Sequence, residues 1–426
     1  MDKVMENSSF SNDKIKREKY GNMLIWACFL VYLLMMGSKN AYTAEIVEIQ
    51  KVFSVDKAQA SLAMTYYFIL YAIIQVVISP IMSKINLRIY ITVTALLSSI
   101  VTIMLAYMGS IEMLYLLCGI NGALQAGIYS GCMSLLGKYL PKSKLPFANT
   151  IMSAGTAAYG VLSYGVPAIF VAMGRWDLPF TVMGAMFFGT ALFFFYAVTQ
   201  IRKFPPQIIE DHGHIIVADE EKPLFELKNT KAKTLFFVIV FVLSLVGSTV
   251  HYAVFNWIPN LLHEVFFMPE EYSILITLIA PILMFIGSLV GINLCEKYKN
   301  IFAVSMISTV LGLVVFLPIL FAYDFNIVIT IIFLVLNISI LTCARCVYLG
   351  VMAFKMRSQI NTGAYLAFYN AVSAVSAGVA PPIAGKIIDL YGYGTLFFIV
   401  LMIALIFLAV NTILTIWYAN LQKKNK

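Results

Sequence analysis

Three basic side chains sit where an apolar sequence has little reason to keep them. They are Lys39 in Met36-Gly37-Ser38-Lys39-Asn40, His251 in Val250-His251-Tyr252, and Arg345 in Cys343-Ala344-Arg345-Cys346. A charge at bilayer depth costs roughly 2.5–3.5 kcal/mol on insertion scales, so such groups point to function by default. Ammonium and guanidinium groups hold anions, and guanidinium does so bidentately with a carboxylate or phosphate. Tyr348, one turn beyond Arg345, could share that anion. An unperturbed imidazole titrates near neutrality, so His251 could also carry a coupling proton. Each has a structural alternative. Arg345 could snorkel or cap a carbonyl, Lys39 could pair with Glu45 or Glu48, and His251 could bridge two helices in its neutral form.

Two polar stripes accompany these cations. Ser38, Tyr42 and Glu45 recur at i, i+4 and i+7, and Asn121, Gln125 and Tyr129 at i, i+4 and i+8. Neither row gains anything by facing lipid, so both should turn to a solute pathway or to a neighbouring helix. Substrate binding is therefore expected from Lys39, Ser38, Tyr42, Asn121, Gln125, Tyr129, His251, Arg345 and Tyr348, and proton coupling from His251 and Glu45.

Other chemistry-bearing groups read as structural. Cys343-x-x-Cys346 lacks a second pair and lies in an apolar run, which suits packing. His212 and His214 stand in a polar stretch without further ligands. No metal site, cofactor or catalytic set is expected, because no nucleophile–base pair or ligand cluster lies in the apolar runs.

The elements that position these residues follow from composition. Of 426 residues 61% are hydrophobic and only 12% charged. Soluble domains carry about 25% charged residues. Lipid must therefore solvate much of this chain, and backbone groups in lipid need internal partners. The apolar runs are continuous over about 20 residues, the length of a membrane-crossing helix. An all-α membrane protein follows.

Twelve spans are expected, at 22–44, 60–81, 88–108, 111–136, 148–172, 178–200, 233–258, 272–295, 301–322, 326–352, 362–384 and 394–419. The domain plan is an N-terminal tail (1–21), a six-helix bundle (22–200), a linker (201–232), a second bundle (233–419) and a C-terminal tail (420–426). Gly119, Gly122, Gly127, Gly131, Gly155 and Gly160 should permit close helix approach. Trp257, Trp417 and Tyr418 are expected at the membrane interface.

Charge gives the orientation. With the amino terminus inside, 23 of the 29 Lys and Arg residues fall on the cytoplasmic side, four on the other and two within spans. That bias places both termini in the cytoplasm and the chain in the cell membrane. Basic residues scattered over short loops do not form a nucleic-acid face.

Six helices, a linker and six helices resemble the major facilitator superfamily, whose halves are parallel repeats around a midplane site. That family's Gly-x-Leu-x-Asp-Arg-x-Gly-Arg-Arg loop between helices 2 and 3 falls on Ser79-Pro80-Ile81-Met82-Ser83-Lys84-Ile85-Asn86-Leu87-Arg88, which keeps the basic positions. The equivalent later loop, Gly291-Ile292-Asn293-Leu294-Cys295-Glu296-Lys297, keeps a glycine, an acid and a base. Within the superfamily, Met35-Met36-Gly37-Ser38-Lys39-Asn40 and His251-Tyr252-Ala253-Val254-Phe255-Asn256-Trp257-Ile258-Pro259 resemble runs of the organophosphate:phosphate antiporters. That family's phosphate-gripping arginines fall at Ser38 and His251, and a helix-2 lysine at Gln75. Neither serine nor imidazole replaces a bidentate guanidinium, so a phosphorylated solute is not expected.

The resemblance implies a secondary transporter working by alternating access, with helices 1, 4, 7 and 10 lining the cavity. A site holding Lys39, His251 and Arg345 favours a small organic anion, with proton coupling or anion exchange. A multidrug or amphipathic-cation exporter and a non-transporting solute sensor are the rival readings. One chain holds both repeats and should function as a monomer.

Overall fold

The computed structural model describes residues 2–78, 81–82, 84–205, 224–226, 230–298, 300–356, 360 and 362–424. His212, His214, most of the 201–232 linker and Ser79, Pro80 and Ser83 lie outside the described residues.

The chain is all-helical, with no strand among the described residues. The elements of its first half are α1 (Asp2–Ala44), α2 (Ile46–Phe53), α3 (Lys57–Ile78), α4 (Leu87–Met104), α5 (Ile111–Gln125), α6 (Ile128–Tyr139), α7 (Leu145–Gly160), α8 (Val166–Ala172) and α9 (Leu178–Ile201). The second half holds α10 (Thr230–Phe255), α11 (Ile258–Phe266), α12 (Glu270–Thr277), α13 (Ile279–Lys297), α14 (Ile301–Ala322), α15 (Ile327–Cys346), α16 (Met352–Lys355) and α17 (Thr362–Lys424). Local chemistry marks several starts. Asn300 and Asn326 cap α14 and α15 by accepting from two backbone N–H groups each, and proline opens α9 and α11 where its missing donor costs nothing.

Among the described residues, ten helical stretches are long and apolar enough to cross a bilayer. One of them, Phe368–Lys423, runs for 56 residues, about 84 Å at helical rise, or more than twice the hydrocarbon thickness. It bends at Gly392, whose φ of 80° only glycine adopts without strain, and so supplies two spans. The fifth expected span is α7 and α8, joined through a π-helical turn at Val161–Gly165, with the apolar stretch Ala158–Ala172 at its end. The total is twelve spans in two six-helix bundles.

One difference concerns the amino terminus. The polar segment before Asn22 continues α1 back to Asp2; it contains no proline and its only glycine is Gly21, so nothing interrupts the helix.

The core has three parts. Buried apolar side chains from Leu24 to Ile201 pack within the first six spans, and those from Phe225 to Tyr418 within the last six. A third set, from Ala41 to Ala404, is shared across the bundles. Glycines allow close packing within and between the bundles: a Cβ on Gly122 would clash with Tyr67 O inside the first bundle, and one on Gly160 would stand 2.8 Å from Pro281 across the bundle boundary. The expected packing role of these glycines follows from such distances.

Trp257 departs from expectation. It is 2% exposed and its Nε1 donates to Pro381 O at 3.1 Å, so it packs α11 to α17 and does not anchor at a lipid interface. Tyr418 is buried against Phe302, whereas Trp417 is exposed.

Candidate functional site

Lys39 and Arg345, on opposite bundles, both lie near the aromatic contact that Phe68 and Tyr252 make across the boundary. Lys39, on α1, has no ion-pair partner among the described residues; its Nζ lies 3.6 Å from Met36 Sδ and 5.1 Å from the centre of the Phe68 ring. Glu45 and Glu48, its expected partners, do not meet it: Glu48 pairs with Lys51, and both Glu45 oxygens are buried without a hydrogen-bond partner. The Phe68 ring in turn meets Tyr252 at 6.0 Å, and Tyr252 meets His251 at 4.9 Å. A continuous aromatic path therefore leads from Lys39 on one bundle to His251 on the other.

Arg345, on α15, lies within electrostatic reach of His251 and Tyr252. Its Nη2 donates to Ser248 Oγ at 3.1 Å, and Ser248 donates to Ser373 at 2.8 Å. Tyr369 sets its hydroxyl against the same guanidinium. Arg345 Nε is buried without a partner, and no carboxylate pairs with this guanidinium among the described residues. A cation so held keeps donors free for an incoming anion. Tyr348 is not part of this arrangement. Its hydroxyl goes to Asn411, and its ring packs with Phe302 and Phe407.

Ser38 from one polar stripe and Asn121 and Gln125 from the other turn into the first bundle. Gln125 accepts from Tyr67 at 2.6 Å and donates to Ser98 at 2.9 Å, Asn121 at 3.0 Å and Ser38 at 3.3 Å. Asn121 completes the set with Ser98 and Thr102. Ser38, Asn121 and Gln125 thus satisfy one another in a buried network joining α1, α3, α4 and α5. Tyr129 takes another path: its ring lies 4.8 Å from that of Tyr32. Tyr32 is also an electrostatic neighbour of Tyr71, Tyr159 and Tyr252, so five tyrosines from five helices share one region.

Exposure grades along the site. Lys39, Tyr71, Tyr129, Tyr252 and Arg345 are partly exposed, while Tyr42, Glu45, Tyr164, Asn256 and Asn260 are buried. In that buried group the Tyr42 and Tyr164 hydroxyls, Asn256 Nδ2 and Asn260 Oδ1 all lack partners, as does Gln75 Oε1 on α3. Beyond it, ion pairs join the bundles: Lys57 with Asp389 (2.8 Å) and Glu264 (3.0 Å), and Lys51 with Glu270. These pairs hold the two bundles together where α1 and α11 end.

Sequence reasoning missed Tyr32, Tyr71, Tyr252, Ser248, Ser373 and Tyr369. Part of the signal was available. Ser244, Ser248, His251, Tyr252 and Phe255 form one helical stripe on α10, as do Tyr365, Tyr369, Ser373 and Ser376 on α17.

Two solved structures of a bacterial homologue of the human lysosomal transporter Spinster share this fold. The chain matches the inward-facing, unoccupied form with a TM-score of 0.73 and 16% identity, covering 94% of this chain and 98% of that one. It matches the inward-facing, occupied form with a TM-score of 0.75 and 16% identity, covering 93% and 97%. No curated protein matches the sequence. The family description Major Facilitator Superfamily fits residues 28–359, most of the chain, so the protein belongs to that superfamily of transporters, and its twelve helices in two bundles agree with it.

Proposed function

We propose that the protein moves a small organic anion across the cell membrane by alternating access, driven by protons. The reading rests on one observation above all: Arg345, held by Ser248 and Tyr369, keeps an unpartnered Nε and has no carboxylate partner among the described residues. Lys39, equally unpaired, gives the opposite bundle a positive group. The bundles that rock are 22–200 and 233–419, with 201–232 as linker. The basic-residue bias puts both termini in the cytoplasm, so the ion-paired end of the bundles is the outer one. Two structures of similar fold are described as inward-facing.

Proton coupling is assigned to Glu45, with His251 as relay. An ionised carboxylate buried without a partner costs several kcal/mol, and a bound proton removes that cost. Relation to organophosphate antiporters enters the proposal only in the negative: Ser38 and His251 stand at the two arginine positions, which argues against phosphate cargo.

Uptake of radiolabelled organic anions into proteoliposomes tests this. An imposed proton gradient should drive accumulation, and Arg345→Gln should lower uptake at least tenfold. Unchanged uptake of every anion by Arg345→Ala, Lys39→Ala and His251→Ala would end the assignment.

A further inference from the structure

We infer that the cargo is an arylalkanoate, an aromatic ring set one or two carbons from a carboxylate. This rests on the anion reading above and narrows it. The carboxylate end is placed by Arg345, whose guanidinium is steadied by Ser248 and Tyr369 and keeps Nε free. The body of the cargo is placed by the aromatic side chains near that guanidinium and Lys39. Phe68 and Tyr252 meet across the bundles at 6.0 Å, Tyr32 and Tyr129 pack at 4.8 Å, and Tyr71 and Tyr159 are neighbours of Tyr252. Flat faces of this kind take another ring by offset or edge-to-face contact.

Spacing agrees. Ser248, which accepts from the guanidinium, donates to Ser373, and the Tyr252 hydroxyl bonds to that same Ser373, so the Tyr252 ring stands close to the anion site. A short alkyl link between a carboxylate and a ring suits that closeness.

Two competing cargo classes fit less well. A polyhydroxylated acid needs polar groups beside the guanidinium to read its hydroxyls, yet Asn121 and Gln125 are engaged with Tyr67, Ser98, Thr102 and Ser38, and the unpartnered amides of Gln75, Asn256 and Asn260 are buried, unlike the partly exposed Tyr71, Tyr129 and Tyr252. An aromatic cation would suit tyrosine faces, but it would meet Lys39 over Phe68 and Arg345 beyond Tyr252.

The test is a competition series on the full chain in proteoliposomes, with labelled 3-phenylpropanoate as the probe. Unlabelled 3-phenylpropanoate should compete at least tenfold better than hexanoate or gluconate, and phenethylamine should not compete. Tyr252→Leu should shrink the preference over hexanoate to under threefold, Tyr252→Phe should keep it, and Arg345→Gln should weaken all carboxylates alike. If Tyr252→Leu does not fold, Tyr71→Leu takes its place, and the wild-type ranking decides by itself. Hexanoate or gluconate matching 3-phenylpropanoate overturns the aromatic inference and leaves the anion reading standing. Preference for phenethylamine, or no specific uptake of any carboxylate, overturns both.

Discussion

Lys57 Nζ lies 2.8 Å from Asp389 Oδ1, a residue 332 positions away, and 3.0 Å from Glu264 Oε1. One ammonium thus ties the start of α3 to two elements of the other bundle. Its side chain is only 13% exposed, which limits screening by water. The carboxylates are more open, so the latch contributes about 1 kcal/mol, worth roughly fivefold in a two-state population. Lys57→Met should let the latched end open more often. In Asn260→Cys protein, an impermeant maleimide added outside should then label about fivefold faster. Equal rates with and without Lys57 would exclude the latch.

Glu45 offers a second measurement. Glu45→Gln keeps the shape of a protonated carboxyl and removes its titratable proton. Accumulation driven by a proton gradient should be lost, while exchange of internal for external anion continues within about threefold of the native rate. Retained gradient-driven accumulation would move the coupling step elsewhere.

Gln125 separates fold from binding. It accepts from Tyr67 and donates to three groups, so Gln125→Leu strands several buried polar atoms. Each such atom costs about 1–3 kcal/mol. Thermal unfolding in detergent should come several degrees lower, with KM for the transported anion changed less than threefold. A tenfold rise in KM at unchanged stability would return Gln125 to the binding site.

Glycine packing gives a fourth test. Gly122 and Gly287 face Tyr67 O and Ser339 O at 2.1 and 2.2 Å from an added Cβ, whereas Gly189 has nothing within 4 Å. Gly122→Ala and Gly287→Ala should each cost about 1–3 kcal/mol through overpacking, and Gly189→Ala should be neutral. Melting curves of the three variants check the contrast.

The sequence by itself determined the helices and their number. Runs of about 20 apolar residues in lipid have no other way to satisfy their backbone, and the turn at Gly392 is marked by a residue free to take φ of 80°. It also located Lys39, His251 and Arg345 as groups out of place in an apolar run. Only the tertiary structure decided what each helix face meets. Ser38, Asn121 and Gln125 were recognisable as stripes, yet they bond to one another, while Tyr129 turns to Tyr32 and Tyr348 to Asn411. Trp257 read as an interface anchor and is a buried contact to Pro381, and Lys57 gave no sign of Asp389. The reason is physical. Helical periodicity is local and tells which residues share a face, but lipid tails are as apolar as a packed interior, so hydropathy cannot say which surface that face touches.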